Sequence, residues 1–309
     1  MGVLGVLALV LLAGWYARNW LLSRQVPQRQ QVHMDAEVYR AGEAFVIRRR
    51  AQNPSCSVVV MHGFLENPLY FTRYYDDPAI ELIMVTCAGY HLPLRAPLFQ
   101  QPPWNASATM ATGTIASDAQ VLNLALEHLI SMPNVRVHGH SRGGAVTLEA
   151  ARQRPDLFES VEVLLEAPVL PQGQPYRPPS RIVHWLMPLV HLLWQRKPSR
   201  MLSSPIWGPL NDAAKRELIT AMPFNPRRSQ VLMTNVEDIG DWMNTTGPDI
   251  YRHVKRGAVL VPGKDRVLDC NAMLDSARQA ENLQIIEVPE GSHFVLLDNP
   301  EAIPPLLRN

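Results

Sequence analysis

Residues 135–150, VRVHGHSRGGAVTLEA, change character part-way along. Val135 and Val137 alternate like the end of a buried strand, Gly139, Gly143 and Gly144 crowd around Ser141, and the chain then turns Ala- and Leu-rich like a helix. A strand that passes straight into a helix through a glycine turn is the repeating unit of a mostly parallel sheet with helices on its faces.

The rest of the chain supplies partners for that unit. Short apolar runs predict strands at 45–48, 57–61, 80–87, 135–138, 161–165, 258–261 and 285–288. Apolar residues at helical spacing predict helices over 117–130, with Ser117 or Asp118 at its start, near 271–281, and briefly after Pro300. The alternation lapses after Ala167-Pro168. The block from Leu170 to about Tyr251 holds prolines, several tryptophans and the apolar stretch IVHWLMPLVHLLW, and reads as a helical cap inserted into an α/β scaffold. The expected divisions are a membrane anchor helix at 1–24, a polar connector at 25–44, a first core part at 45–169, the cap at 170–251 and a second core part at 252–309.

The first residues stand apart from this scaffold. MGVLGVLALVLLAGWYARNWLL has no charged side chain before Arg18. About 17 helical residues at ~1.5 Å each reach ~26 Å, at the short end for a ~30 Å hydrocarbon core, and Trp15, Tyr16 and Trp20 sit where interfacial aromatics do. An uncleaved anchor is expected ahead of a cleaved signal, because no Lys or Arg precedes the apolar run and no A-x-A site follows it. Arg18, Arg24 and Arg29 all follow the run, which by the positive-inside rule favours a cytoplasmic globular part over an extracytoplasmic one.

Composition narrows the partners. Across 309 residues, 29 basic and 28 acidic side chains leave a formal net charge of +1, with no electrostatic footprint for nucleic acid. Cys56, Cys87 and Cys270 lack zinc-type spacing and are odd in number, so neither a metal site nor a full disulfide framework is indicated; no organic cofactor is indicated either.

A serine at such a turn has a chemical use. Its hydroxyl is a poor nucleophile until a base takes the proton and donors stabilise the oxyanion that forms. Glycines let the backbone bend sharply, lifting Ser141 Oγ clear of the sheet, and the helix N-terminus leaves free N–H groups beside it. The serine then needs a histidine that is itself oriented by an acid. Of the ten histidines, only His293 comes after the last apolar strand, in a loop (PEGSHF) from which a side chain reaches back over the strand ends. His138 and His140 are too close in the turn, His33 and His128 fall in the connector and on a helix, and His184 and His191 lie seven apart on one face of the cap stretch. For the acid, Asp265 in AVLVPGKDRVLD sits in the turn after a buried strand; Asp269 and Glu166 are its rivals.

Four motifs now stand in order: His62-Gly63-Phe64 after one strand, Gly139-His140-Ser141-Arg142-Gly143-Gly144 after another, LVPGKDRVL around Asp265 and VPEGSHFVLLDNPEAI around His293. Together, over 58–309 apart from the cap, they resemble the α/β-hydrolase family with its Ser, Asp, His chain order. The resemblance implies a serine-hydrolase mechanism, with Ser141 as nucleophile, His293 as base, Asp265 as its orienting acid and the backbone N–H groups of Phe64 and Arg142 as the oxyanion hole. Two departures stand out. Arg142 fills the position after the serine, where relatives often carry an uncharged side chain, and is expected to be exposed or ion-paired rather than in contact with an anionic substrate group. The segment 92–114 is longer and richer in proline than the usual link, and is expected at the pocket rim.

These expectations amount to a membrane-anchored serine esterase or lipase-like hydrolase. Its partners would be a small-molecule or lipid acyl ester and, through the N-terminal helix, the bilayer. The alternatives are a thioesterase, amidase or haloperoxidase-like perhydrolase on the same triad, and a non-catalytic binding protein of the same fold. Epoxide hydrolases and dehalogenases use an aspartate nucleophile, so Ser141 argues against both. The apolar cap stretch is expected either to pack on the core or to cover the pocket and touch the interface.

Overall fold

A computed structural model describes residues 2–24, 26, 31–105, 109–177, 180–222 and 225–307. Of the expected connector, positions 25 and 27–30 lie outside the described residues, Arg29 among them. The strands are β1 (Glu37–Ala41), β2 (Ala44–Arg49), β3 (Cys56–Met61), β4 (Ile80–Val85), β5 (Leu98–Phe99), β6 (Val135–His140), β7 (Glu162–Glu166), β8 (Arg256–Pro262) and β9 (Gln284–Val288). They form one sheet in the order β5-β1-β2-β4-β3-β6-β7-β8-β9. From β4 to β9 every neighbouring pair is parallel, while β2 joins β4 and β1 joins β2 antiparallel.

Strands β3, β4 and β6 are buried at every position because both faces are covered, and β4 and β6 carry Glu81, Arg136, His138 and His140 among their apolar residues. Successive residues serve opposite layers: Val59, Met61, Val137 and Leu165 enter one buried cluster, and Val58, Val60, Leu164 and Leu260 enter the other. Helix α1 (Val3–Ser23) precedes the sheet, and α2 (Ile115–His128) and α3 (Arg142–Gln153) cover the first of these faces. The cap carries α4 (Arg181–Arg196), α5 (Pro198–Leu202), α6 (Ala213–Thr220) and α7 (Ser229–Thr245); α8 (Cys270–Ala277) and α9 (Val295–Asp298) belong to the closing part of the core.

Several elements differ from the sequence expectation. Strand β1 lies inside the expected connector, where Val38 and Ala41 are buried, and turns back into β2 through Gly42. Helix α2 begins at Ile115 rather than at Ser117 or Asp118, because Thr114 is its N-cap and accepts the Ser117 N–H at 3.1 Å. Among the described residues of segment 92–114, none lines the pocket. They run to the sheet edge, where Leu94 bridges Val32, β5 pairs with β1, and the Trp104 indole donates to Arg40 O at 3.2 Å. From Pro300 on, the described residues form a 3₁₀ turn, Pro300–Ala302, in place of the expected helix, and α9 precedes it.

Two contacts between cap and core matter for the site. Asp238 of α7 accepts the Ile115 N–H at 2.6 Å, placing a carboxylate at the N-terminus of α2. Asn235 accepts from Tyr90 Oη at 2.9 Å and donates to Gly113 O at 2.6 Å. Helix α1 is 21 residues long and apolar enough to cross a membrane, and none of its residues is buried. It meets the cap at α4, where Arg18 Nε donates to Trp185 O at 3.3 Å.

Candidate active site

Ser141 stands between β6 and α3 with φ +53° and ψ −120°, a conformation that a residue with a Cβ rarely adopts. The surroundings hold it there. Its N–H donates to Glu166 O at 2.9 Å, and its carbonyl accepts from the N–H groups of Gly144 and Val169, both at 2.9 Å. The turn is so tight that a Cβ on Gly143 would lie 2.1 Å from Met61 O, and one on Gly139 would lie 2.4 Å from Gly143 O. Glycine at these two positions is therefore a packing requirement.

Across the strand ends, His293 Nδ1–H donates to Asp265 Oδ2 at 2.7 Å, which leaves Nε2 as the remaining ring nitrogen. Asp265 Oδ1 accepts from the N–H groups of Val267 and Leu268 at 2.6 and 3.0 Å. Burial pushes the Asp265 carboxyl up, but the His293 ring and these N–H groups outweigh it and hold the group below the ordinary aspartate value. The rival acids are occupied elsewhere. Asp269 caps α8 by accepting the Ala272 N–H at 2.9 Å. Glu166 is fully buried beneath the site, accepting from Tyr70 Oη at 2.6 Å, the Leu296 N–H at 2.6 Å and His138 Nε2 at 3.1 Å. Burial raises the Glu166 carboxyl, yet His140 and His138 draw it down to about 2.

The loop after β3 is pinned on both sides of Phe64. The Gly63 N–H donates to Glu66 Oε2 at 2.8 Å, and the Leu65 N–H donates to Tyr90 Oη at 3.3 Å. His62 Nδ1–H donates to Gly63 O at 2.8 Å while its Nε2 accepts the Cys87 N–H at 3.1 Å, so both ring nitrogens fasten the loop to the end of β4. Arg142, the first residue of α3, contributes its backbone N–H to the helix N-terminus. Its side chain turns into the protein, completely buried, donating to Asp118 Oδ2 at 2.6 Å and to Gly113 O at 3.1 Å. Of the two expected environments, the ion-paired one holds; the guanidinium is not exposed.

Sequence reasoning gives no role to His140 or Glu66. His140 is buried between Glu66 Oε2, 2.8 Å from its Nδ1, and His293 O, 2.9 Å from its Nε2. Burial would depress this imidazole, but Glu66 and Glu166 raise it to about 9. The only available signal is that His140 adjoins the serine and Glu66 lies two residues beyond Phe64. Of the other histidines, His184 lines the same cavity as Ser141. His138 bonds Tyr75 and Glu166, and His191 meets Ser229 Oγ at 2.7 Å.

Ser141, His293 and Phe64 line one cavity of about 600 Å³ roofed by the cap. Its wall is mostly apolar, with Leu65, Met187, Ile206, Trp207, Met222 and Phe294 contributing. Helix α4 supplies Met187 and His184 to this wall and turns Ile182, Trp185, Leu189 and Leu193 outward, exposed. It thus covers the pocket with one face and leaves an apolar surface on the other.

Comparison with known proteins agrees with this architecture. Over 270 residues the chain is 25% identical to an uncharacterized hydrolase, YugF, of Bacillus subtilis (strain 168), covering 82% of this chain and 89% of that one. A 2-hydroxy-6-oxo-6-phenylhexa-2,4-dienoate hydrolase from Rhodococcus sp. strain RHA1 superposes with a TM-score of 0.61 at 16% identity, covering 88% of this chain and 96% of that one. A lipase-esterase related protein from Clostridium acetobutylicum ATCC 824 superposes with a TM-score of 0.58 at 12% identity, over 84% and 96% of the two chains. The family model for the alpha/beta hydrolase family matches residues 58–303, most of the chain, and this protein therefore belongs to the alpha/beta hydrolase family.

Proposed function

We propose that this hydrolase is a membrane-anchored serine esterase, with Ser141 as nucleophile, His293 as general base and Asp265 as the acid that orients it. The observation that carries the reading is the pairing of a strained, backbone-clamped Ser141 with the His293–Asp265 couple on the wall of one apolar cavity.

In this mechanism Ser141 Oγ bonds to the acyl carbonyl carbon as its proton passes to His293 Nε2. Asp265 keeps the opposite nitrogen protonated and offsets the charge of the imidazolium. The backbone N–H groups of Phe64 and Arg142 receive the oxyanion; the bonds from Gly63 and Leu65 on either side of Phe64 hold that peptide in place before substrate arrives. The proton then leaves with the alcohol as the ester C–O bond breaks. Water, deprotonated by the same histidine, attacks the acyl-enzyme and frees the acid.

The apolar cavity favours an acyl chain over a polar polymer, and the exposed apolar helix α1 favours a substrate that partitions into lipid. The test is hydrolysis of p-nitrophenyl esters of graded acyl length by detergent-solubilised full-length protein, with Ser141→Ala and His293→Ala in parallel. Turnover that both substitutions abolish, with circular dichroism unchanged, supports the reading; equal turnover in Ser141→Ala overturns it.

A further inference from the structure

The cavity wall is apolar except for a small set of polar groups, and some of these are already engaged. Glu66 is paired with His140 and Asp265, behind the wall, with His293. Arg177 and Arg266 are different: both line the cavity and both are exposed, which sets them at its mouth. Among the described residues neither has a carboxylate within ion-pair distance.

Their position is fixed by the loop that carries Asp265. The turn in which Asp265 Oδ1 accepts the N–H groups of Val267 and Leu268 has Arg266 at its apex. The entry to the cap is stitched alongside: the Tyr176 N–H donates to Val267 O at 2.9 Å, the Asp269 N–H donates to Gln174 O at 2.9 Å, and Pro175 bridges Leu268 antiparallel. Tyr176 adjoins both arginines, its ring centroid 5.6 Å from the Arg177 guanidinium carbon and 5.2 Å from that of Arg266. Arg266 also donates to the Tyr176 hydroxyl. Apart from the N–H that Arg266 gives the Tyr176 hydroxyl, both guanidinium groups keep edge N–H donors, the part that binds carboxylate or phosphate in a fork.

Resting on the serine-hydrolase reading, we propose that Tyr176, Arg177 and Arg266 form an anion-binding subsite at the cavity mouth, which takes the carboxylate or phosphate of a negatively charged acyl ester. The acyl chain then lies in the apolar interior and the charged end at the solvent edge. The same chemistry suits a soluble ester acid or an anionic lipid headgroup.

The test uses pairs of substrates with the same acyl chain, one member anionic and the other neutral. One pair is para-carboxymethylphenyl octanoate against its carboxamide in detergent solution; the other is a lysophosphatidate against the monoacylglycerol of the same chain in phosphatidylcholine vesicles. For the full-length protein, kcat/KM for the anionic member of at least one pair is expected to exceed that of the neutral one roughly tenfold, each exposed ion pair contributing several-fold. The difference should lie in KM, shrink with added salt, and fall to near unity in Arg177→Gln/Arg266→Gln. Any general effect of the substitutions divides out of the ratio, and the pair with the larger ratio identifies a soluble or a lipid source. A wild-type ratio near one in both pairs, or a ratio unchanged in the double variant, overturns the subsite. Failure of the underlying reading is distinct, since turnover of the neutral esters would then survive in Ser141→Ala.

Discussion

The main-chain carbonyl of His293 accepts a hydrogen bond from His140 Nε2, 2.9 Å away. The other nitrogen of the same ring faces Glu66 Oε2 at 2.8 Å, and that oxygen also accepts the Gly63 N–H. Two acceptors on one imidazole require two ring N–H groups, so His140 is a buried cation paired with Glu66. The pair joins three segments distant in sequence: the loop after β3, the serine turn and the histidine loop.

The two single losses of this pair should therefore add up to more than the loss from removing both sides at once. Glu66→Gln or His140→Gln alone leaves the remaining charge buried and is expected to lower stability by about 3 kcal/mol or more. In urea titrations the double substitution should cost at least ~1 kcal/mol less than the sum of the singles. Strictly additive losses would mean that the two side chains are not coupled.

Stability should peak near neutrality and fall on both sides. His140 is raised to about 9, so its contribution is complete below the unfolded value of about 6.5 and is lost as pH rises through 9, roughly 3 kcal/mol in all. His91 and His191 act in the opposite sense. Burial holds them down to about 3 and about 4, so they fold neutral, and their contribution is lost as pH falls from 6.5 towards those values. Glu166, drawn down to about 2, adds a further loss as pH falls below 4.5. Urea midpoints measured from pH 4 to 10 should decline more steeply on the acid side; a midpoint rising from pH 7 to 9 would contradict a charged His140.

The acid assignment predicts a contrast between neighbours. Asp265→Asn removes the acceptor that fixes the His293 tautomer and should lower kcat by about four orders of magnitude with little change in fold. Asp269→Ala removes only the cap of α8, about 1 kcal/mol of stability, and should leave kcat within a few-fold. The opposite ranking in steady-state assays would transfer the role to Asp269.

At the serine turn, Gly143→Ala should be far more damaging than an ordinary glycine substitution. The new methyl would meet the Met61 carbonyl, which β3 cannot withdraw without losing its register with β6. We expect a loss of more than ~3 kcal/mol and of all turnover, read by thermal melts and ester hydrolysis; near-normal melting would mean that the turn relaxes easily.

The parts of this molecule that can be read from sequence are those whose signal is local. The buried strands β3, β4 and β8 are runs of mostly apolar residues, β6 shows only the Val135 and Val137 alternation, and the serine turn announces itself by glycines on both sides. Strand β1 escapes such a reading because EVYRA mixes charge with apolar residues, as an edge-side strand does, and owes its state to pairing with β2. Arg142 and Asp118, neighbours only through the packing of α3 against α2, give no sign in sequence of being a buried pair. The same holds for Glu66 and His140, whose juxtaposition exists only once β3 and β6 lie side by side. Long-range polar pairs leave no periodicity, and tertiary structure alone reveals them.

Helix α1 and the outer face of α4 together predict two grades of membrane contact. Full-length protein should resist carbonate extraction, since α1 exposes apolar side chains along its whole length. Deleting residues 2–24 removes that helix but leaves Ile182, Val183, Trp185, Leu189 and Leu193 exposed on α4. Each is already partly shielded, so each contributes less than the ~1.5–3 kcal/mol of a fully buried large apolar side chain, and their sum supports only reversible binding. The truncated protein is therefore expected to wash off membranes in carbonate, yet to co-sediment with phosphatidylcholine vesicles in a manner insensitive to salt. Trp185→Gln with Leu189→Gln in that background should abolish the co-sedimentation while ester hydrolysis in detergent persists. Vesicle binding that survives these substitutions would place the second contact away from α4, and carbonate resistance of the truncated protein would show that α1 is not the anchor.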